Sequence, residues 1–281
     1  MNIKRLIKRF LYFKLRVKIG KRSFVVPIIK GIGINNLKLK NDWFLLLLEK
    51  VSLPENSTFI DVGVNIGQTI LKFRSHFENS YFGFEINANC VSYVRNLIRV
   101  NGFKNISILP VGLSDKDEVV VMLSSSDIDN CCSDSTIVSD LRPTYYREED
   151  KSFVPVYKFD NLKILPPESF VSMVKIDVEG AELEVISGML EMIKKFRPLI
   201  TCEILDFDSE LTSVKLQDRA SKLFELMRSL DYSVYSIKHL KTSLEFEKIS
   251  AVKLVHWTPT SLGLNDYLFA PRENNYIDLS R

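Results

Sequence analysis

Two patterns of apolar and polar positions alternate along the chain, and together they predict an α/β protein. Short apolar runs bounded by turn residues predict strands, and apolar residues three or four positions apart predict the helices between them. Because strands and helices alternate regularly after residue 50, we expect a mostly parallel sheet. The predicted strands are Ser23–Ile29, Thr58–Val62, Tyr81–Phe84, Ile106–Leu109, Glu118–Leu123, Phe153–Tyr157, Val171–Asp177, Leu199–Ile204, Tyr232–Ile237 and Tyr267–Ala270.

Five helices are predicted from the 3.6-residue period and its end signals. Asp42 opens the first, which ends near Val51, and Gly102 stops a later one that begins at Asn87. Three more are expected from about Gly67, along the apolar stripe Leu183, Ile186, Leu190 and Ile193, and along the stripe Leu216, Ala220, Leu223 and Met227.

These elements suggest a division of the 281-residue chain into a basic N-terminal arm and cap (1–50) and an α/β body (51–281). The polar segment from Ser124 to Asp150 shows neither helical nor strand periodicity. Loops of this length in a compact domain are typically functional or disordered, so this one is a candidate for acceptor recognition.

The charge is distributed unevenly between these two parts. Of the 38 Lys and Arg residues, 12 lie in residues 1–41, which contain no acid, whereas all 35 acids lie in the remainder. Residues 1–22 interleave basic and apolar side chains, which leaves three interpretations open. The arm is a helix packed on the body, a peripheral contact with an anionic membrane surface, or a contact with nucleic acid.

The composition of the chain indicates the cellular compartment in which we expect the protein. The longest purely apolar run, Trp43 to Leu48, is far shorter than the roughly 20 residues of a membrane-spanning helix. Lys14, Arg16 and Lys18 interrupt any apolar signal core. The four cysteines lack metal-site spacing, and adjacent Cys131 and Cys132 are poor disulfide partners, so we expect a cytoplasmic protein, with the inner membrane surface as an alternative.

A tight turn after the first body strand is the strongest sign of a ligand site. In Asp61-Val62-Gly63-Val64-Asn65-Ile66-Gly67, the two glycines lack the Cβ that would keep a ligand from the main chain, and Asn65 tolerates a positive φ. A pyrophosphate would meet the charge of Asp61, so the turn favours a cationic group such as the amino group of S-adenosylmethionine (SAM) over a dinucleotide. The alternative is an ordinary strand-to-helix turn.

The ends of the next two strands provide further candidates. Glu85 closes the second body strand, where an acid typically accepts hydrogen bonds from ribose hydroxyls. Ser114 follows the third strand and is a candidate contact for an adenine edge, although a simple turn explains it equally well.

A second strong signal is the acidic turn Lys175-Ile176-Asp177-Val178-Glu179-Gly180-Ala181-Glu182. Crowded carboxylates repel each other unless cations or hydrogen bonds compensate, so the cluster indicates function. Asp177, Glu179 or Glu203 can deprotonate a substrate hydroxyl, or hold a divalent cation that does so. Glu182 is equally explained as a first-turn helix acid.

These motifs, in this order, resemble the FkbM-type methyltransferases over about residues 55–240. The resemblance also takes in Phe159-Asp160-Asn161-Leu162 and Gly188, whereas Ile86 departs from the proline that the family usually has after its ribose-binding acid. It implies a class I, Rossmann-like fold with a mostly parallel seven-stranded sheet and helices on both faces. It also implies SAM as methyl donor and transfer to oxygen, often on sugars.

The expected function is therefore SAM-dependent O-methylation of a sugar hydroxyl in a polysaccharide, glycolipid or other glycosylated product. Asp61, Gly63, Asn65 and Gly67 are expected to cradle the methionine part, Glu85 to bind ribose and Ser114 to lie near adenine. Asp177, Glu179 and Glu203 are the catalytic candidates. The alternatives are a nucleic-acid methyltransferase, which the acidic body disfavours, and a non-catalytic SAM-binding protein at a membrane.

Overall fold

The computed structural model describes residues 12–39, 42–124, 135–138, 151–207, 209–240, 242–258 and 265–279. The strands in these ranges are β1 (Tyr12–Ile19), β2 (Arg22–Ile29), β3 (Ser57–Val62), β4 (Ser80–Phe84), β5 (Ile106–Leu109), β6 (Gly112–Leu113), β7 (Glu118–Leu123), β8 (Lys151–Tyr157), β9 (Phe170–Ile176), β10 (Leu199–Glu203), β11 (Tyr232–His239), β12 (Leu244–Lys248) and β13 (Asp266–Pro271). The α-helices are α1 (Trp43–Lys50), α2 (Gln68–Arg74), α3 (Ala88–Asn101), α4 (Glu182–Ser187), α5 (Leu190–Phe196) and α6 (Glu210–Ser229).

The central sheet of the described chain has eight strands in the order β12-β11-β13-β10-β9-β3-β4-β5. The five strands from β10 to β5 run parallel, whereas β13 is antiparallel to both of its neighbours and β12 is antiparallel to β11. The α/β prediction is confirmed, but the expected seven-stranded, mostly parallel sheet is wrong in detail because the sheet is mixed. Its eighth strand, β12, was not predicted, although Leu244 and Phe246 alternate with Glu245 and Glu247 in the period-two pattern of a strand.

The order of the strands places a ligand crevice at the ends of β3 and β9. After β3 the chain continues outward through β4 and β5, whereas the later strands β9 and β10 extend the sheet on the other side. Ligands of open α/β sheets bind at this kind of switch point, beyond the carboxyl ends of the strands.

Two apolar cores cover the two faces of the sheet, which confirms helices on both faces. One core gathers side chains from β2, α1, α2 and α3, including Phe44, Phe59 and Phe73. The other gathers α4, α5 and α6, where the predicted stripe from Leu216 to Met227 is buried.

The helix predicted over residues 183–193 is two helices, α4 and α5. The chain breaks at Gly188, where an added Cβ would stand 2.0 Å from the Ser114 carbonyl oxygen. The loop after β5 therefore packs directly on the backbone between these helices.

Part of the N-terminal arm is a β-hairpin, which corrects the helical interpretation for residues 12–22 and confirms the predicted strand Ser23–Ile29. β1 pairs with β2 in an antiparallel register, and Phe24, Val26 and Ile28 of β2 are buried in the core. The side chain of Asn101 bonds both the N–H and the C=O of Val25, each at 2.7 Å, so it fastens the outer edge of β2 to α3.

The hairpin and α1 pack into the same core as the body, while the boundary at residue 50 stays a prediction. Residues 1–11 lie outside the described part of the chain. So do residues 125–134 and 139–150 of the predicted functional loop, including Cys131 and Cys132. Within the described ranges, no helix combines the length and apolarity that a bilayer crossing requires.

The contact between the ends of β3 and β9 depends on Gly63. This glycine has φ of +92°, and a Cβ built on it would stand only 1.9 Å from the Asp177 carbonyl oxygen. The N–H of Asp177 donates to the Val62 carbonyl at 3.0 Å, so the two strand ends are bonded where they touch. No side chain at position 63 is compatible with this spacing.

We expect Gly63→Ala to destabilise the protein well beyond the ordinary cost of alanine at positive φ. Gly102→Ala is a matched control, since Gly102 also has positive φ (+64°) but a Cβ added to it would meet no heavy atom within 4 Å. Urea unfolding should show a loss of about 1 kcal/mol for the control, from backbone strain alone. The loss for Gly63→Ala should be larger by about 2 kcal/mol or more, and equal losses would contradict the packing argument.

Candidate functional site

A cleft of about 550 Å³ lies at the switch point, beyond the carboxyl ends of β3, β4, β9 and β10. Six of the nine predicted site residues line it: Gly63, Asn65, Glu85, Asp177, Glu179 and Glu203. Asp61, Gly67 and Ser114 are not among its described lining residues. The structure therefore brings the turn, the ribose candidate and the acidic candidates together in one space.

The glycines of the turn are also required for packing within the protein, which the sequence did not show. Gly63 makes room for the Asp177 carbonyl, and a Cβ on Gly67 would stand 2.8 Å from Leu97 of α3. Gly63 lines the cleft as well, and the predicted contact of these glycines with a ligand stays a prediction. Asn65 does adopt a positive φ, of 50°, as predicted.

Asp61 lies behind the cleft and not in it. Its carboxylate is fully buried on the face of β3 that carries Phe59, where it accepts a hydrogen bond from the Tyr81 hydroxyl. Burial raises the pKa of Asp61 to about 7, although the neighbouring Lys175 opposes this rise. The structure therefore does not bring Asp61 to the position expected for contact with the methionine part of SAM.

Glu85 lines the cleft with its carboxylate held in place by the backbone. Oε2 accepts from the N–H of Asn65 at 2.6 Å, and Oε1 accepts from the N–H of Asn87 at 2.7 Å. Burial raises the pKa of Glu85, and these backbone hydrogen bonds limit the rise. Each oxygen retains a second lone pair, so the carboxylate can also accept hydrogen bonds from hydroxyls of a ligand.

The strand ends beside Gly63 form what we call the acid wall of the cleft: Glu85, Asp177, Glu179 and Glu203, with Lys175 among them. Lys175 Nζ donates to Asp177 Oδ2 at 2.8 Å. Burial lowers the pKa of Lys175, but the charges of Asp177 and Asp61 outweigh burial and leave the pKa raised. The lysine therefore stays charged and partly neutralises the carboxylates that face it.

Glu203 is the acid-wall carboxyl with the most perturbed environment. Repulsion from Asp177, together with burial and the charge of Asp266, raises the pKa of Glu203 well above its usual range. Asn265 Nδ2 donates to Glu203 Oε1 at 2.9 Å and fixes its orientation. A carboxyl with a raised pKa is a stronger base once it is ionised, which suits proton removal from a poorly acidic hydroxyl.

An apolar corner of the cleft lies next to Glu85. Ile86, Val111, Leu113 and Met122 line it, together with the backbone of Gly112. Ser114 is nearly buried beneath this corner, and its N–H donates to the Tyr157 carbonyl at 2.9 Å. The loop after β5 thus reaches the cleft as predicted, but through the residues before Ser114.

A further part of the lining, which we call the cap wall, was missed by sequence reasoning. It consists of Asn35, Lys38, Asp42 and Trp43 from the cap, together with Lys72 of α2. Lys72 Nζ lies 2.7 Å from Asp42 Oδ2, and Asn36 Nδ2 donates to the Ile66 carbonyl at 2.8 Å, so the cap is bound to the turn. Asp42 was recognised only as a helix start, which it is, since it accepts from the N–H of Phe44.

Trp43 connects the cap wall to a buried polar pair behind the acid wall. Its indole stacks on His239, with ring centroids 5.5 Å apart and planes 18° from parallel. His239 Nε2 in turn lies 3.2 Å from Asp266 Oδ2, and Asp266 pairs with Glu203 across the two strands. His239 is thus not a cleft residue in the described lining, whereas His256 packs against Phe207.

The divalent cation allowed for by the sequence finds no support. Among the described residues, no group of three or more His, Cys, Asp or Glu side chains could hold a metal ion. Lys175 is the cation that lies among the carboxyls of the acid wall, bonded to Asp177.

Glu182, at the end of the acidic turn, should make stability depend on pH. Burial raises the pKa of Glu182 from 4.5 to about 7, although the N–H of Gly180 donates to it at 2.9 Å. The folded state then binds a proton that the unfolded state has already released, so stability should fall by roughly 2–4 kcal/mol as pH rises from about 4.5 to about 7.

Glu182→Gln keeps the side chain neutral and should remove much of this decline. Urea unfolding between pH 5 and 8 measures how the free energy of unfolding depends on pH. Glu168→Gln, on the exposed surface, is the control and should leave this dependence unchanged. Parallel pH profiles for the wild type and Glu182→Gln would show that Glu182 does not contribute.

Comparison with solved structures finds several distant relatives. Methyltransferase FkbM from Methylobacillus flagellatus KT is 14 % identical, with a TM-score of 0.47, over 78 % of this chain and 44 % of that one. A putative O-methyltransferase from Klebsiella pneumoniae is 10 % identical, with a TM-score of 0.41, over 81 % of this chain and 78 % of its own. The chain thus spans less than half the length of the first of these proteins. No curated protein matches the chain.

The family match is more extensive. The model of the methyltransferase FkbM domain matches residues 61–234, which is more than half of the chain and contains both motifs that indicated the family. The predicted family is thereby confirmed. The chain belongs to the FkbM family of methyltransferases.

Proposed function

We propose that this enzyme transfers the methyl group of SAM to a hydroxyl oxygen of a sugar in a polysaccharide, a glycolipid or another glycosylated product. The observation that carries the proposal is the placement of Glu85 and the acid wall on one cleft at the switch point of the sheet. One end of this cleft suits the donor and the other suits a hydroxyl-bearing acceptor.

The residues of the cleft fit the adenosine part of SAM. Glu85 presents an oriented carboxylate for the two ribose hydroxyls, and the apolar corner from Ile86 to Met122 offers a surface for adenine. Clefts of this volume are typical of small-molecule and cofactor sites. Bound there, SAM supplies an activated methyl group on a sulfonium, and the protein has to align the acceptor and remove a proton.

The acid wall supports a hydroxyl-bearing acceptor. Asp177, Glu179 and Glu203 accept hydrogen bonds, which the several hydroxyls of a sugar ring can donate. The bound donor would supply a methyl carbon whose bond to sulfur breaks as the acceptor oxygen bonds to it, and S-adenosylhomocysteine would leave. Asp177, Glu179 and Glu203 are the candidates to take the proton of the acceptor hydroxyl. Trp43 adds an aromatic face to the same cleft.

The same wall disfavours the nucleic-acid alternative. Four carboxyls against one lysine would repel a phosphate backbone at the place where the reaction occurs. A neutral glycan carries no such penalty.

Titration calorimetry with SAM tests the donor site. Glu85→Ala should weaken binding by about tenfold or more, because the ribose hydroxyls lose a charged acceptor and Asn65 loses its anchor. Glu118→Gln, an exposed acid of β7, should bind like the wild type. Absence of SAM binding to the wild type, or an unchanged affinity in Glu85→Ala, would refute the cofactor site.

We also propose that the hairpin makes peripheral contact with an anionic membrane. Tyr12, Lys14, Arg16 and Lys18 share one face of β1, and all four side chains are exposed. In the described chain, these three cations have no carboxylate within ion-pair distance, so they are available to lipid headgroups. Each cation near such a surface contributes about 1 kcal/mol. This contact would bring a lipid-linked glycan close to the cleft wall that follows the hairpin in sequence.

Vesicle co-sedimentation tests the contact. The full chain should sediment with vesicles of phosphatidylcholine and phosphatidylglycerol at low salt, and much less with phosphatidylcholine alone or at high salt. Reversing Lys14, Arg16 and Lys18 to Glu should abolish sedimentation. The same reversal at exposed Lys116, Lys195 and Lys248 is the control, and equal losses in both triple variants would point to net charge instead of the hairpin.

A further inference from the structure

The two walls of the cleft carry opposite formal charge. The acid wall has four carboxyls and Lys175, whereas the cap wall has Lys38 and Lys72 against Asp42. A ligand with a cationic centre and a carboxylate would therefore be oriented across the cleft, its cation toward the acid wall and its anion toward the cap.

Lys72 is the cap-wall cation best placed to bind an anion. Its side chain is only 9 % exposed, yet it lines the cleft, and its ammonium lies 2.7 Å from Asp42 Oδ2. A buried ammonium has three N–H donors, and Asp42 is its one carboxylate partner in the described part of the chain. Desolvation strengthens any further charge-assisted hydrogen bond that it makes.

Lys175, the corresponding cation of the acid wall, is not suited to an anion. It is bonded to Asp177, and Asp61 and Glu203 also act on its charge. A ligand carboxylate at this position would meet three protein carboxyls for one ammonium. Asp61, which the sequence placed near the methionine part of SAM, is buried behind the cleft, so the amino-acid end of the donor needs another partner.

We propose that Lys72 binds the carboxylate of the amino-acid end of SAM, an inference that rests on the proposed function. The cap thereby becomes part of the donor site. With its carboxylate on the cap wall and its ribose on Glu85, the donor presents its sulfonium to the side of the cleft that holds Asp177 and Glu203.

Decarboxylated SAM is the probe that isolates this contact, because it retains the adenosine, the sulfonium and the amine and lacks only the carboxylate. In titration calorimetry the wild type should bind SAM more tightly than decarboxylated SAM. Lys72→Met should weaken the binding of SAM by about tenfold or more, as expected for one lost charge-assisted hydrogen bond. The affinity of this variant for decarboxylated SAM should stay within about twofold of the wild-type value.

Lys222→Met is the matched control, since it removes a Lys–Asp pair of similar length, 2.6 Å, from the exposed surface of α6 and should change neither affinity. Asp42→Asn is a second variant that retains the helix cap and frees Lys72 from its competitor. It should keep or increase the preference for SAM.

The outcomes separate this inference from the function on which it rests. Failure of the wild type to bind SAM would refute the donor site itself. Equal wild-type affinities for the two ligands would overturn the role of the cap wall while leaving the donor site intact. If Lys72→Met weakened the binding of SAM and of decarboxylated SAM equally, the Lys72–Asp42 pair would only join α1 to α2. Loss of the preference for SAM in Asp42→Asn would show the same.

Discussion

The close approach of β3 to β9 at their carboxyl ends is the constraint on which the site depends. The backbone of Gly63 rests on the Asp177 carbonyl at a distance that excludes any side chain. This contact brings the glycine turn and the acidic turn, more than a hundred residues apart in sequence, to the same edge of the sheet. Glu85, on the strand at the other side of β3, then completes the cleft because its carboxylate is fastened to Asn65 in that turn. A single steric requirement thus positions both halves of the site.

Burial of charge is the second theme, and the protein deals with it by protonation and pairing. Burial raises the pKa values of Asp61 and Glu182 to about 7, and repulsion from Asp177 together with burial raises the pKa of Glu203 well above its usual range. Lys175 offsets part of the remaining negative charge. The acid wall therefore provides basic oxygens without the full repulsion of its formal charge, and a sulfonium brought to it would relieve repulsion further. The same crowding of buried carboxyls makes their oxygens more basic and lowers the stability of the folded protein.

Sequence reasoning succeeded where the pattern is local. The parallel strands follow from short apolar runs and the two motif turns from their glycines and acids, and most of their bounds agree with the structure to within a residue or two. It failed on β1, although the alternation of Phe13, Leu15 and Val17 with basic residues was itself a strand signal. It also misjudged Asp61, since the direction of a buried side chain depends on which face of the strand it occupies. The cap wall could not have been predicted, because the approach of Lys72 to Asp42 depends on how α1 packs against α2.

The cap contributes to the cleft from outside the segment that matches the family, residues 61–234. Asn36 is bonded to the Ile66 carbonyl and Asp42 to Lys72, so cap and turn already share polar contacts. A ligand held between the two walls would add its binding energy to these contacts, since whatever binds only the assembled cleft stabilises the assembly. A donor bound there would thus stabilise the attachment of the described cap residues, 12–39 and 42–50, to the α/β body, and the concentration of SAM in the cell would determine how strongly they are held.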